Sequence, residues 1–150
     1  MIKVISLHQK KQPFYKIKDI KLRKSKVFKV KITEKLHKEF IKFSGDDSPI
    51  HLNNKFLKKN KYKKKLGHGF LITSILSQIY GKYFPGGREL CVKQSCYFRN
   101  PFFIGDVLKI KIIPKKKFLD LKLLEILIEI RVKNKIIFNG EASFILSLIK

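Results

Sequence analysis

A carboxylate and an imidazole stand five positions apart in Ser44-Gly-Asp-Asp-Ser-Pro-Ile-His51: Asp46 and His51. Pro49 lies between them and restricts the segment. Such a pair, meeting in a mostly apolar site, can hold one water. One group then takes its proton while the other supplies a proton to a substrate. Burial is expected to raise the Asp pKa and lower the His pKa, bringing both toward neutrality. The same residues also suit a plain capping turn, with Asp46 or Asp47 accepting from backbone N–H groups and His51 packing on the surface. A second element follows at His68-Gly69. Gly at a helix start leaves the first N–H groups open to an approaching carbonyl oxygen. The partial positive charge there would stabilise a developing enolate.

The elements that must position these groups follow from periodicity. Val27-Phe-Lys-Val-Lys-Ile32 alternates and reads as a half-buried strand. Thr33 is an N-cap for a helix from Glu34 to about Phe43, with Leu36, Phe40 and Phe43 on one face. The turn-rich run Ser44–Pro49 ends it. Gly69–Tyr80 carries no charge and is apolar nearly all round, which predicts a buried helix stopped at Gly81. Pro85-Gly86-Gly87 is a turn. Long alternating runs follow. Leu90, Val92, Cys96 and Phe98 share one face. Leu108, Ile110 and Ile112 form the next, then Leu124 through Val132, and Ala142, Phe144, Leu146 and Leu148 close the chain. Lys133-Asn134-Lys135 suits a hairpin. This order predicts an α+β fold, one buried helix along the concave face of a curved antiparallel sheet.

The chain has 150 residues, which predicts one domain over 1–150, with 1–13 as a loose basic lead-in. The formal net charge is +24, and 31 of the 35 basic residues are Lys. Such an excess attracts anionic partners over long range. Arg, the better tool for bidentate phosphate or guanine recognition, is nearly absent, so nucleic-acid binding is not expected. Cys91 and Cys96 lie five apart; on one strand they would face opposite ways, so buried free thiols in a reducing cytosol are expected. The N-terminus lacks a long apolar run and a small-residue cleavage site, and Leu66–Gly81 is too short and polar to span a membrane.

The two chemical elements and a third stretch, Gln94-Ser-Cys-Tyr-Phe-Arg-Asn-Pro-Phe-Phe-Ile-Gly-Asp106, occur in the order and at the separations of a known family. From about Leu22 to Leu108 the chain resembles the MaoC-like (R)-specific enoyl-thioester hydratases, which have the hotdog fold. The family pattern D-x-N-P-x-H stands here as Asp46-Asp47-Ser48-Pro49-Ile50-His51. The resemblance implies that Asp46 and His51 activate water and that the Gly69 N–H holds the thioester carbonyl. It implies that Ser48, His68 and Ser77 line the substrate site, although Ser77 also suits a small core position. Gln94 and Gly105-Asp106 are read as structural. Two departures stand out. The motif Asn is Ser48, which reaches less far, and the hydrophobic residue before His-Gly is Gly67, which is expected to loosen the helix entrance.

The implied reaction interconverts trans-2-enoyl and (R)-3-hydroxyacyl thioesters of coenzyme A or acyl carrier protein, with no metal or other cofactor. A cytoplasmic homodimer is implied, with no membrane or nucleic acid as partner. The rivals are a non-catalytic acyl-thioester-binding hotdog and a hotdog thioesterase. The second would place a carboxylate on the central helix, where there is no Asp or Glu between Leu66 and Gly81. Six Lys between Lys58 and Lys65 would steer an anionic carrier toward the tunnel mouth, or form no more than a solvated loop.

Overall fold

The computed structural model describes residues 15–146, together with the backbone of strand β1 (Val4–Ser6). Most of the expected lead-in, and Leu148, lie outside the described residues. Val4–Ser6 corrects the expectation of a wholly loose lead-in, because it pairs with β2 (Lys26–Lys31). The remaining strands are β3 (Glu89–Gln94), β4 (Tyr97–Phe98), β5 (Val107–Phe118), β6 (Leu123–Val132) and β7 (Lys135–Leu146). They form one antiparallel sheet in the order β1-β2-β5-β6-β7-β3, and β4 also pairs with β7.

Alternation produces the buried face. Leu108, Ile110 and Ile112 of β5, Leu124 through Ile130 at every second position of β6, and Phe138, Ala142 and Phe144 of β7 are all buried. Each such side chain contributes about 1.5–3 kcal/mol by leaving water. Val132 pairs with Lys135 across a two-residue turn in which Lys133 has φ 53°. Helix α4 (Gly69–Lys82) packs on this face through Leu71, Ile72, Ile75, Leu76, Ile79 and Tyr80. Tyr80 stacks edge-on against Phe144 at 4.8 Å and donates to Gln94 Oε1 at 2.9 Å. That bond ties the helix to β3, as a structural Gln94 requires. At the β5 entry the Phe103 N–H donates to Asp106 Oδ2 at 2.8 Å, and Gly105 has φ 99°, so this turn is structural too.

Four expectations change. Helix α4 runs through Gly81 to Lys82, because an internal Gly is only mildly unfavourable once neighbouring turns are packed. It is not buried all round: Phe70, Ser74 and Ser77 are exposed. Leu90 and Val92 are about half exposed because β3 is an edge strand, and Cys91 is exposed with them. On α1 (Glu34–Ser44), Phe43 is 88% exposed and His37 is fully buried in its place. The buried face is centred on Leu36, His37 and Phe40. At about 100° per residue Phe43 lies only some 20° from Leu36, but it stands in the last turn of α1, where its ring is left uncovered. Among the described residues, no helix is long and apolar enough to cross a membrane.

Candidate active site

Thr33 caps α1, accepting from the Leu36 N–H at 3.1 Å. Gly45 ends the helix in the left-handed region with φ 72°, which a Gly adopts without strain, and turns the chain toward Asp46. Pro49 then starts a one-turn helix, α2 (Pro49–Leu52), so His51 sits on a helical turn and not on an open loop. Helix α3 (Asn54–Lys59), capped by Asn53, leads on to the strand-like contact between Leu66 and Phe103 that delivers the chain to α4.

Ser48 donates both its hydroxyl and its backbone N–H to Asp46 Oδ1. These two bonds hold the Asp46 carboxyl below its usual range. This corrects the expectation of a raised value: the side chain is 46% exposed, so desolvation is outweighed. The shorter Ser therefore does reach the carboxylate. His51 Nδ1 lies 3.0 Å from the Leu66 carbonyl oxygen. A carbonyl only accepts, so Nδ1 carries the proton of the neutral ring and Nε2 keeps the lone pair. His68 Nε2 likewise faces the Asp46 carbonyl oxygen at 3.0 Å, and its ring stacks on that of His51 at 3.6 Å. Burial lowers the His68 pKa. Unlike the surface histidine of a plain capping turn, His51 is half-buried and locked between a carbonyl and a ring.

Asp46, His51, His68 and Gly69 line one cavity of about 400 Å³, together with Phe40, Ser44, Phe70 and Phe98. The first N–H groups of α4, starting at Gly69, have no acceptor within the helix. A second cavity, of about 260 Å³, shares Gly69 and Phe98 and continues past Ile72, Phe102 and Ile137. Phe98 therefore stands between the two. A Cβ at Gly69 would meet the Phe98 ring at 3.0 Å, which is why the helix starts with Gly. A Cβ at Gly67 would clash with the edge of the Phe102 ring, and the Gly67 N–H donates to the Phe102 carbonyl at 2.9 Å. The helix entrance is thus tightly packed, where a loosened one was expected. Ser77 is exposed two turns along α4 and does not line the cavity.

Sequence reasoning missed the aromatic walls Phe40, Phe70 and Phe98, and it missed His37. The His37 ring lies 4.9 Å from that of His68 and 6.4 Å from that of His51. Burial first, then His68, pushes its pKa down to about 4.

Comparison with known proteins matches this architecture. The family model "MaoC like domain" matches residues 14–118. A 3-hydroxybutyryl-CoA dehydratase of Methylorubrum extorquens is 26% identical over 75% of this chain and 77% of its own length. An (R)-specific enoyl-CoA hydratase of Rhodospirillum rubrum is 28% identical over 69% and 72%. The solved (R)-hydratase of A. caviae superposes with a TM-score of 0.80 at 22% identity, over 86% of this chain and 98% of that one. The chain belongs to the MaoC-like domain family, has its hotdog fold, and is an enzyme of the hydro-lyase type.

Proposed function

We propose that this chain adds water reversibly to trans-2-enoyl thioesters, giving (R)-3-hydroxyacyl thioesters, with Asp46 and His51 holding the water. One observation carries the reading: a carboxylate, an imidazole with a fixed tautomer and the open N-terminus of α4 converge on a single aromatic-walled cavity. The thioester oxygen binds the Gly69 N–H. Nε2 of His51 takes a proton from water as the water oxygen bonds to C3. The C2=C3 electron pair moves toward the thioester oxygen, and the helix N-terminus holds the resulting enolate. The ionised Asp46 carboxylate accepts the other hydrogen of the water and orients it. The enolate then collapses, and C2 takes the proton from His51. The water's hydroxyl and proton are both consumed, and dehydration runs the same steps backward.

The acyl chain occupies the cavity past Phe98, and the thioester carrier is coenzyme A or acyl carrier protein. The enzyme works in the cytoplasm, where Cys91 and Cys96 stay as free thiols. It pairs as a homodimer through the open edge of β3, which would cover Leu90 and Val92. The test is turnover of crotonyl-CoA and of the matching acyl-carrier-protein substrate. Asp46→Asn and His51→Ala are each expected to lower kcat by at least ~10²-fold. Thermal unfolding should stay near that of the parent, since neither residue belongs to the apolar core. Near-normal turnover in either variant would remove that residue from the mechanism.

A further inference from the structure

His37 has no role in that reaction, and its surroundings are unusual. The residue is 0% exposed, and neither ring nitrogen has a hydrogen-bond partner. A buried polar group in that state loses its water contacts without replacing them. His68 is 2% exposed, and its Nδ1 is also unpartnered. One ring nitrogen from each of His37, His51 and His68 lies within 4.8 Å of the other two. We propose that these three imidazoles form a binding site for a divalent transition-metal ion, with Zn2+ as its natural probe, and that the bound ion shuts the hydratase off.

Three features support the assignment. The first is ligand chemistry: three neutral imidazoles are a set that suits Zn2+ with a fourth position left open. The second is the supporting shell. The N–H groups of His51 and His68 point at the backbone carbonyls of Leu66 and Asp46, each at 3.0 Å. Metal-ligating histidines are commonly oriented this way, through the other ring nitrogen, which leaves a lone pair free for the metal. The third is fit. Tetrahedral Zn–N bonds place ligand nitrogens about 3.4 Å apart, so the widest pair must close by roughly 1.4 Å. His51 is half-buried on a one-turn helix, and closing the site requires its ring to tilt off the stack with His68 about the contact that Nδ1 makes with the Leu66 carbonyl. The net charge of +24 opposes a dication, but ionic screening confines that opposition to about 8–10 Å near physiological salt.

Inhibition rests on the proposed role of His51, since a metal on Nε2 removes the base; binding of the ion does not. Calorimetric titration of Zn2+ into the chelator-treated full chain should show one ion per chain. His37→Leu should weaken binding at least about tenfold, equivalent to about 1.4 kcal/mol. Cobalt offers a second readout on the unaltered protein. Co2+ at this site should give the intense visible bands of a low-coordinate, nitrogen-ligated ion. In parallel, Zn2+ should suppress crotonyl-CoA hydration and a chelator restore it, while His37→Leu keeps its turnover and resists the metal. The site is overturned if the unaltered chain takes up no stoichiometric Zn2+ and leaves Co2+ with its aqua spectrum. It is equally overturned if His37→Leu binds as tightly as the parent. A chain that hydrates no enoyl thioester would sink the hydratase reading alone, and the calorimetry would still decide the metal site.

Discussion

Asp46 and His51 were legible as single residues because their chemistry is local: one turn, five positions, with Pro49 fixing the path between them. What spacing could not show was the sign of the Asp46 shift, which depends on where Ser48 points its hydroxyl. His37 was not legible at all. It sits between Leu36 and Lys38 on a helix whose expected face ran through Phe43, and only the packing against the rings of His68 and His51 shows it turned inward. Its burial has a consequence for stability. The ring titrates near 6.5 when unfolded and at about 4 when folded, so the unfolded chain binds more protons between those values. Stability contributed by the neutral ring is complete above pH 6.5 and drains as pH falls toward 4. His68 shifts in the same direction and adds to the effect. Thermal unfolding in the presence of chelator is therefore expected to drop by several degrees between pH 7 and pH 5. His37→Leu should flatten that drop, and an identical pH dependence in both proteins would contradict it.

Elements were legible wherever period and burial agree. Every second residue is buried from Leu108 to Pro114 in β5, from Leu124 to Ile130 in β6 and from Phe138 to Leu146 in β7, as the alternation demands. The pattern misled at β3, where an apolar alternation lies on an open edge, because alternation reports a face and not what covers it. It also misled on α4, which was expected to stop at Gly81. The two glycines at the α4 entrance have distinct causes. Gly67 makes room for the Phe102 ring, a contact between segments 35 residues apart that no local pattern reveals, whereas Gly69 faces Phe98 across the site. Gly69→Pro removes the N–H proposed to hold the thioester oxygen, although its fixed φ suits the first helical turn. Its expected loss is ~10²–10³ in kcat, the usual cost of one oxyanion donor. Gly69→Ala keeps the N–H and asks only that the half-exposed Phe98 ring give way, so its loss should be much smaller. Steady-state rates that rank the two variants equally would exclude Gly69 as the donor.

For the whole molecule, the excess of positive charge is the dominant long-range feature. Within the Lys58–Lys65 segment, Lys65 is committed to Glu34 at 3.0 Å and is 28% exposed, so it pins the approach to α4 and does not steer. Lys61, Lys63 and Lys64 are exposed just before the chain enters the site through Leu66. Changing these three to Gln should lower kcat/KM several-fold at low salt, flatten its salt dependence and leave kcat nearly unchanged. Unchanged kcat/KM at low salt with both carriers would assign the run to a solvated surface. In the proposed reaction the positions of Asp46 and His51 relative to the α4 N-terminus set which face of the double bond receives water, and a single measurement tests it. Crotonyl-CoA is incubated with the full chain, and the 3-hydroxybutyryl product is released and resolved by chiral chromatography. The expected product is the (R)-enantiomer alone, formed in amounts that Asp46→Asn and His51→Ala each cut at least ~10²-fold. Formation of the (S)-enantiomer, or no hydration at all, would contradict it.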